Sequence, residues 1–171
     1  MINESRIFIG LQLSGYLVDI IPMIKSTIND KKQLIKWVNG RNLHLTLSFI
    51  GDINLENISK LKDELKNILL SASFEIVVNG TGLFPSEKNP KILWLDICDG
   101  RNELIKIQDK LESIAKPFKQ NQKVEEFIPH ITIGRVKGIN KNLNFDLSTF
   151  SNAVYSDVRI PIKTIYLFKS Q

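Results

Sequence analysis

From Leu43 to Ile50 the chain reads Leu-His-Leu-Thr-Leu-Ser-Phe-Ile, and Gly51-Asp52 follows. Alternation with a period of two fits a strand with one buried face, and the Gly-Asp pair fits the turn that ends it. Residues 130–136 (HITIGRV) alternate in the same way. Strands of this kind call for a sheet with another layer packed on its apolar side.

The rest of the chain supplies both. Residues 6–13 (RIFIGLQL) read as a strand, followed from Ser14 to about Asn29 by a helix that Pro22 kinks or delays. Asn54 stands as the N-cap of a helix in which Ile58, Leu61, Leu65, Ile68 and Leu69 recur to about Leu70. The second half repeats this order. Phe74–Asn79 and Ile92–Cys98 read as strands around an irregular loop, Gly80–Pro90. A helix after Asp99-Gly100 turns Leu104, Ile107, Leu111, Ile114 and Phe118 inward, with Pro117 in its last turn. Residues 158–168 (VRIPIKTIYLF) read as a final strand that Pro161 assigns to an edge or a bulge. No Pro/Ser-rich linker divides the halves. The expectation is a single α+β domain over residues 1–171, bilobal, with two pseudo-symmetric lobes of antiparallel sheet, outer helices and a central cleft.

With 43% apolar and 24% charged residues in 171, the composition is that of an ordinary soluble domain and fits neither disorder nor a disulfide scaffold. No run approaches the length of a membrane span. The N-terminal segment carries Glu4 and is broken by Gly10 and Gln12, unlike a secretory signal, so the cytoplasm is expected. The formal net charge of +5 is a weak pointer to a nucleic-acid or phosphate partner. The lysines, among them Lys31, Lys36, Lys62, Lys123 and Lys141, are scattered and form no block.

Reactive groups are few: two histidines and one cysteine, Cys98. One cysteine excludes an internal disulfide and a Cys-rich metal site. Both histidines stand in one pattern, His44-Leu45-Thr46-Leu47 and His130-Ile131-Thr132-Ile133. With six threonines in the chain, a threonine two places after both histidines is roughly a one-in-a-thousand coincidence. On a strand, residues two apart share a face, so His44 with Thr46, and His130 with Thr132, oppose the leucines and isoleucines between them, and Phe49 follows the leucines. Facing each other, the two strands would gather two imidazoles and two hydroxyls into one volume, which suits a tetrahedral anion. One imidazole can be neutral and the other protonated near pH 7, which allows acid–base phosphoryl transfer without a metal. Two histidines make a poor zinc site, where three or four ligands are the rule.

The sequence resembles the two-histidine (2H) phosphoesterases, and within them the RNA 2′,3′-cyclic phosphodiesterases, also called 2′-5′ RNA ligases. The resemblance rests on Arg6-Ile7-Phe8-Ile9, on Asn42 to Gly51, on Leu83-Phe84-Pro85 before Ile92-Leu93-Trp94-Leu95, and on Pro129 to Arg135. It implies hydrolysis of an RNA 2′,3′-cyclic phosphate end to a 2′-phosphate, with a possible reverse 2′-5′ ligation and no cofactor. By this likeness His44 is the proton donor to the departing 3′-oxygen, His130 the proton acceptor from water, and Thr46 and Thr132 hold the phosphate. Arg135 has the parity of Ile131 and Ile133, away from the histidines, unless a bulge at Gly134 swings it round to bind phosphate. Phe8 is a candidate to stack on a base or to fill the core, Arg41 to meet the RNA backbone or solvent; Trp37 and Trp94 read as packing.

As a rule the family's chains continue past the equivalent of Tyr166–Ser170 with a Gly/Pro turn and a further strand, whereas this sequence stops at Gln171. The expected partner is an RNA with a 2′,3′-cyclic phosphate end or a cyclic nucleotide, and the expected state is a monomer without metal. The alternatives are a cyclic phosphodiesterase on a small nucleotide such as ADP-ribose cyclic phosphate, and a non-catalytic RNA-binding module.

Overall fold

The alternating segments pair into one antiparallel sheet. The computed structural model describes residues 4–66, 68, 73–119, 126–137 and 146–170. Its strands are β1 (Glu4–Gln12), β2 (Ile35–Trp37), β3 (His44–Asn54), β4 (Phe74–Phe84), β5 (Ile92–Asp99), β6 (His130–Val136), β7 (Val158–Ile162) and β8 (Tyr166–Lys169). They run in the order β7-β4-β5-β6-β3-β1-β8, with β2 added beside β6. The helices are α1 (Ser14–Leu17), α2 (Ile20–Ser26), α3 (Leu55–Lys66), α4 (Arg101–Ala115) and α5 (Ser148–Ser151).

The two lobes are two arms of this sheet. One holds β8, β1 and β3; the other holds β6, β5, β4 and β7. They join where Leu45 of β3 pairs with Ile131 of β6, both without exposed surface. The outermost strands β7 and β8 are linked by residues 163–165 alone, a reach of at most ~14 Å. The edges of a flat seven-stranded sheet would stand roughly 29 Å apart, so the sheet curls strongly.

Helices cover one face. Leu61 of α3 and Leu104, Leu111 and Ala115 of α4 are buried together with Ile9, Leu47, Leu93 and Leu95 of the strands. Asn54 caps α3 by accepting a hydrogen bond from the Asn57 N–H at 2.8 Å. Leu69 and Leu70, expected to continue this helix, lie outside the described residues, as do Lys123 and Lys141.

Several boundaries differ from expectation, each for a local reason. The helix expected from Ser14 to Asn29 is two short ones, with Pro22 in the first turn of α2, where a missing N–H costs no hydrogen bond. The strand expected to stop before Gly51-Asp52 runs on to Asn54: Gly51 takes φ +95°, which a glycine tolerates, and β1 stays paired alongside through Ile7–Gly51 and Arg6–Asp52. Likewise β4 continues from Asn79 through the expected loop to Phe84, absorbing the irregularity at Gly80 (φ +90°) with a register shift. The stretch 158–168 is two strands at opposite ends of the sheet, and Pro161 does sit on an edge strand, opposite Glu75. The three-residue β2 has no counterpart among the expected elements; Asp30 anchors its start by accepting from the Leu34 and Ile35 N–H groups.

Three single-residue irregularities decide which side chains share a face. Along β3, Leu47 and Ile50 have no opposite number on β1, because Ile9 pairs Ser48 while Gly10 pairs Thr46, and Ile7 pairs Gly51 while Phe8 pairs Phe49. Along β6, Ile133 is the extra residue between Thr132, which faces Trp94, and Gly134, which faces Leu93. Each bulge inverts the alternation beyond it.

Candidate active site

The antiparallel pairing at Leu45–Ile131 fixes the site. One step to either side lie His44 with Thr132 and Thr46 with His130, and because neighbours on a strand point to opposite faces, all four project from the face opposite the leucine and isoleucine. All four are half-buried. The two histidine strands are thus adjacent in one sheet.

Both imidazoles are anchored alike. Nδ1 of His44 donates to the carbonyl of Asn42 at 2.6 Å, and Nδ1 of His130 to the carbonyl of Ile128 at 2.7 Å. A carbonyl only accepts, so Nδ1 carries the proton in each ring and Nε2 is the nitrogen left for chemistry. Aromatic rings flank each one. His44 lies 4.9 Å from Phe8 and 5.7 Å from Phe168; His130 lies 5.0 Å edge-on from Phe84 and 5.9 Å from Trp94. Burial pushes the His130 imidazole below its ordinary value of 6.5, the hydrogen bond to Ile128 opposes this, and the positive charges of Arg135 and His44 push it down further. The one carboxylate paired opposite His130 in the sheet, Asp96, is in an ion pair with Arg101.

The hydroxyls of Thr27 and Thr81 donate to the carbonyls of Ile24 and Phe150. Those of Thr46 and Thr132 stand on the histidine face. Arg135 joins them: beyond the bulge at Ile133 it pairs with Ile92, which shares the face of Trp94 and therefore of Thr132. The irregularity sits one residue before the expected Gly134. Lys36, paired with Arg135 from β2, adds a second exposed cation on this side.

Phe8 is half-buried, stacked on Phe168 at 4.8 Å and 8°, so it packs the His44 imidazole from the neighbouring strand. Arg41 is exposed in the turn of Gly40–Asn42 that leads into β3, where Asn39 Oδ1 accepts from its N–H. Phe49 departs from expectation: it is 67% exposed instead of buried, because the bulge at Leu47 has moved it onto the face of His44 and Phe8. Among the described residues no group of three or more His, Cys, Asp or Glu side chains is arranged to hold a metal ion.

The model of LigT-like phosphoesterases matches residues 24–94, which include the first histidine motif. An RNA 2′,3′-cyclic phosphodiesterase of Aquifex aeolicus is 34% identical to this chain, over 81% of it and 75% of the relative. The chain belongs to the LigT-like phosphoesterase family. A relative of the same name from Methanocaldococcus jannaschii is 29% identical over 96% of this chain and 91% of its own. The fold of E. coli LigT, in a crystal structure with 3′-AMP, superposes with a TM-score of 0.76 at 20% identity, covering 99% of this chain and 90% of that one.

In this LigT-like phosphoesterase the sequence does not mark the flanking rings Phe84, Trp94 and Phe168 as site residues. Only the pairings reveal them, since Phe84 and Trp94 reach His130 from β4 and β5 and Phe168 reaches His44 across β1. Among the described residues no helix is long and apolar enough to cross a membrane.

Proposed function

We propose that this chain hydrolyses the 2′,3′-cyclic phosphate at the 3′ end of RNA to a 2′-phosphate by acid–base chemistry between His44 and His130. The observation that carries this reading is the common face of two identically anchored imidazoles and two threonines around the Leu45–Ile131 pair. His130, kept neutral by burial, takes a proton from water through Nε2. The oxygen of that water bonds to phosphorus and the bond to the 3′-oxygen breaks. Protonated His44 gives the departing oxygen its proton, leaving a 3′-hydroxyl and a 2′-phosphate.

Thr46 and Thr132 donate to the non-bridging oxygens, and Arg135 adds the positive charge that steadies them as negative charge builds up. Arg41 offers a cation to the RNA backbone. The substrate is supported by the relatives named RNA 2′,3′-cyclic phosphodiesterase. With a 5′-hydroxyl in place of water the same steps, run in the same direction, form a 2′-5′ linkage: the 5′-oxygen bonds to phosphorus, its proton passes to His130, and the 3′-oxygen leaves with the proton from His44.

The test is incubation with an oligoribonucleotide ending in a 2′,3′-cyclic phosphate, in the presence of EDTA. The expected product is the 2′-phosphate. A 3′-phosphate would overturn the choice of leaving group, and loss of turnover in the chelator would overturn the metal-independent scheme.

A further inference from the structure

A phenylalanine with two-thirds of its surface in solvent is an unusual occupant of a sheet. Phe49 is 67% exposed, although it follows a run of leucines whose parity would bury it. Burying a phenylalanine is worth ~1.5–3 kcal/mol, so the bulge at Leu47 works against packing. What the bulge does achieve is to aim the ring along the histidine face. Phe8 and Phe49 are direct cross-strand partners with centroids 6.1 Å apart, and Phe8 is 4.9 Å from His44.

The other ring beside His44 is already occupied, since Phe8 lies stacked on Phe168. Two open rings lie on this side of the site one ring beyond the imidazole, Phe49 past Phe8 and Tyr166 past Phe168, and Phe49 is the more exposed, at 67% against 43%. By the mechanism above, this is also the side of the departing 3′-oxygen, and hence of the strand that carries the cyclic phosphate. Stacked bases rise ~3.4 Å per step. Phe49 is the second ring out from His44, 6.1 Å beyond Phe8, so it lies more than one such step from the imidazole, and bases of an unpaired strand can be splayed apart onto separate rings.

We propose that Phe49 is a stacking platform for the base of the penultimate nucleotide, so that the site prefers an RNA end of two or more nucleotides to a cyclic mononucleotide. This rests on the function proposed above and narrows its substrate. Base–aromatic stacking tolerates every base, so the preference is for length and not for sequence.

The experiment compares kcat/KM for a nucleoside 2′,3′-cyclic phosphate and for di- and triribonucleotides ending in one, with the wild-type chain, Phe49→Ala and Phe49→Tyr. The wild type should prefer the dinucleotide to the mononucleotide. Phe49→Ala should reduce that preference roughly tenfold, and Phe49→Tyr, which keeps a ring, should retain it. An unchanged preference in Phe49→Ala, whether both substrates suffer equally or neither does, would overturn the platform, as would a change shared by Phe49→Tyr. Failure of the wild type to cleave any of the three would instead overturn the proposed function itself.

Discussion

Each imidazole of the site is held by one hydrogen bond to the main chain two residues before it, and this leaves Nε2 free on both. What separates the two rings is their surroundings. His130 is pushed below 6.5 by burial and by the charges of Arg135 and His44, so it stays neutral, and able to accept a proton, into mildly acidic solution. The sign follows directly: the acidic limb of kcat/KM, which reports protonation of the base in the free enzyme, should fall below pH 6.5. Arg135→Gln removes one of the charges that lower this value, so the limb should move up toward 6.5 while KM rises. A pH–rate profile of both proteins checks this, and a limb that moves down in the variant would show that Arg135 does not act on His130.

At the scale of the element, the positions of these groups depend on where strands are irregular. The pair Gly82–Trp94 illustrates it. A Cβ on Gly82 would run into the indole ring of Trp94, which borders His130. Gly82→Ala should therefore displace the indole, destabilise the fold by ~1–3 kcal/mol and slow turnover through His130. Denaturant melts beside kcat measured well below the melting point separate the two effects; a variant of wild-type stability and rate would contradict this packing.

The strands β1, β3, β5 and β6 were legible from alternation because each buries one face, and the helix from Asn54 from its cap and its period. The bulges at Leu47 and Ile133 were not, because an inserted residue changes pairing without changing composition. Their consequences, the outward turn of Phe49 and the return of Arg135 to the histidine face, follow from register alone. Similarly β2, only three residues long, is too short to show a period. Gly80 and Gly82 look like loop punctuation in sequence, yet in the sheet one supplies a positive φ and the other leaves room for a ring.

At the scale of the molecule, the two arms seen in sequence as a repeated order of elements are joined into one strongly curled sheet, and the histidine motifs lie on the two strands at the join. The doubling of a His-x-Thr motif is enough, from sequence alone, to point to a shared site. That the seam is a single pair, Leu45–Ile131, and that residues 158–168 divide between the two outer strands, required the structure, since an apolar stretch does not reveal which strands it joins. The charge of +5 is now given a direction by Arg135 and Lys36 on the histidine face. For a single-stranded RNA end, log kcat/KM should fall with log salt by ~0.7 for each phosphate contact, and for a cyclic mononucleotide the slope should be smaller. Equal slopes for the two would mean that the RNA backbone adds no contacts.

Whether two histidines on one face of the sheet carry the chemistry is decided by kcat on an oligoribonucleotide 2′,3′-cyclic phosphate for His44→Ala and His130→Ala. Each substitution should lower kcat by ~10²–10⁴-fold, with Thr46→Ala and Thr132→Ala losing less. Full activity in either histidine variant would contradict the two-histidine mechanism.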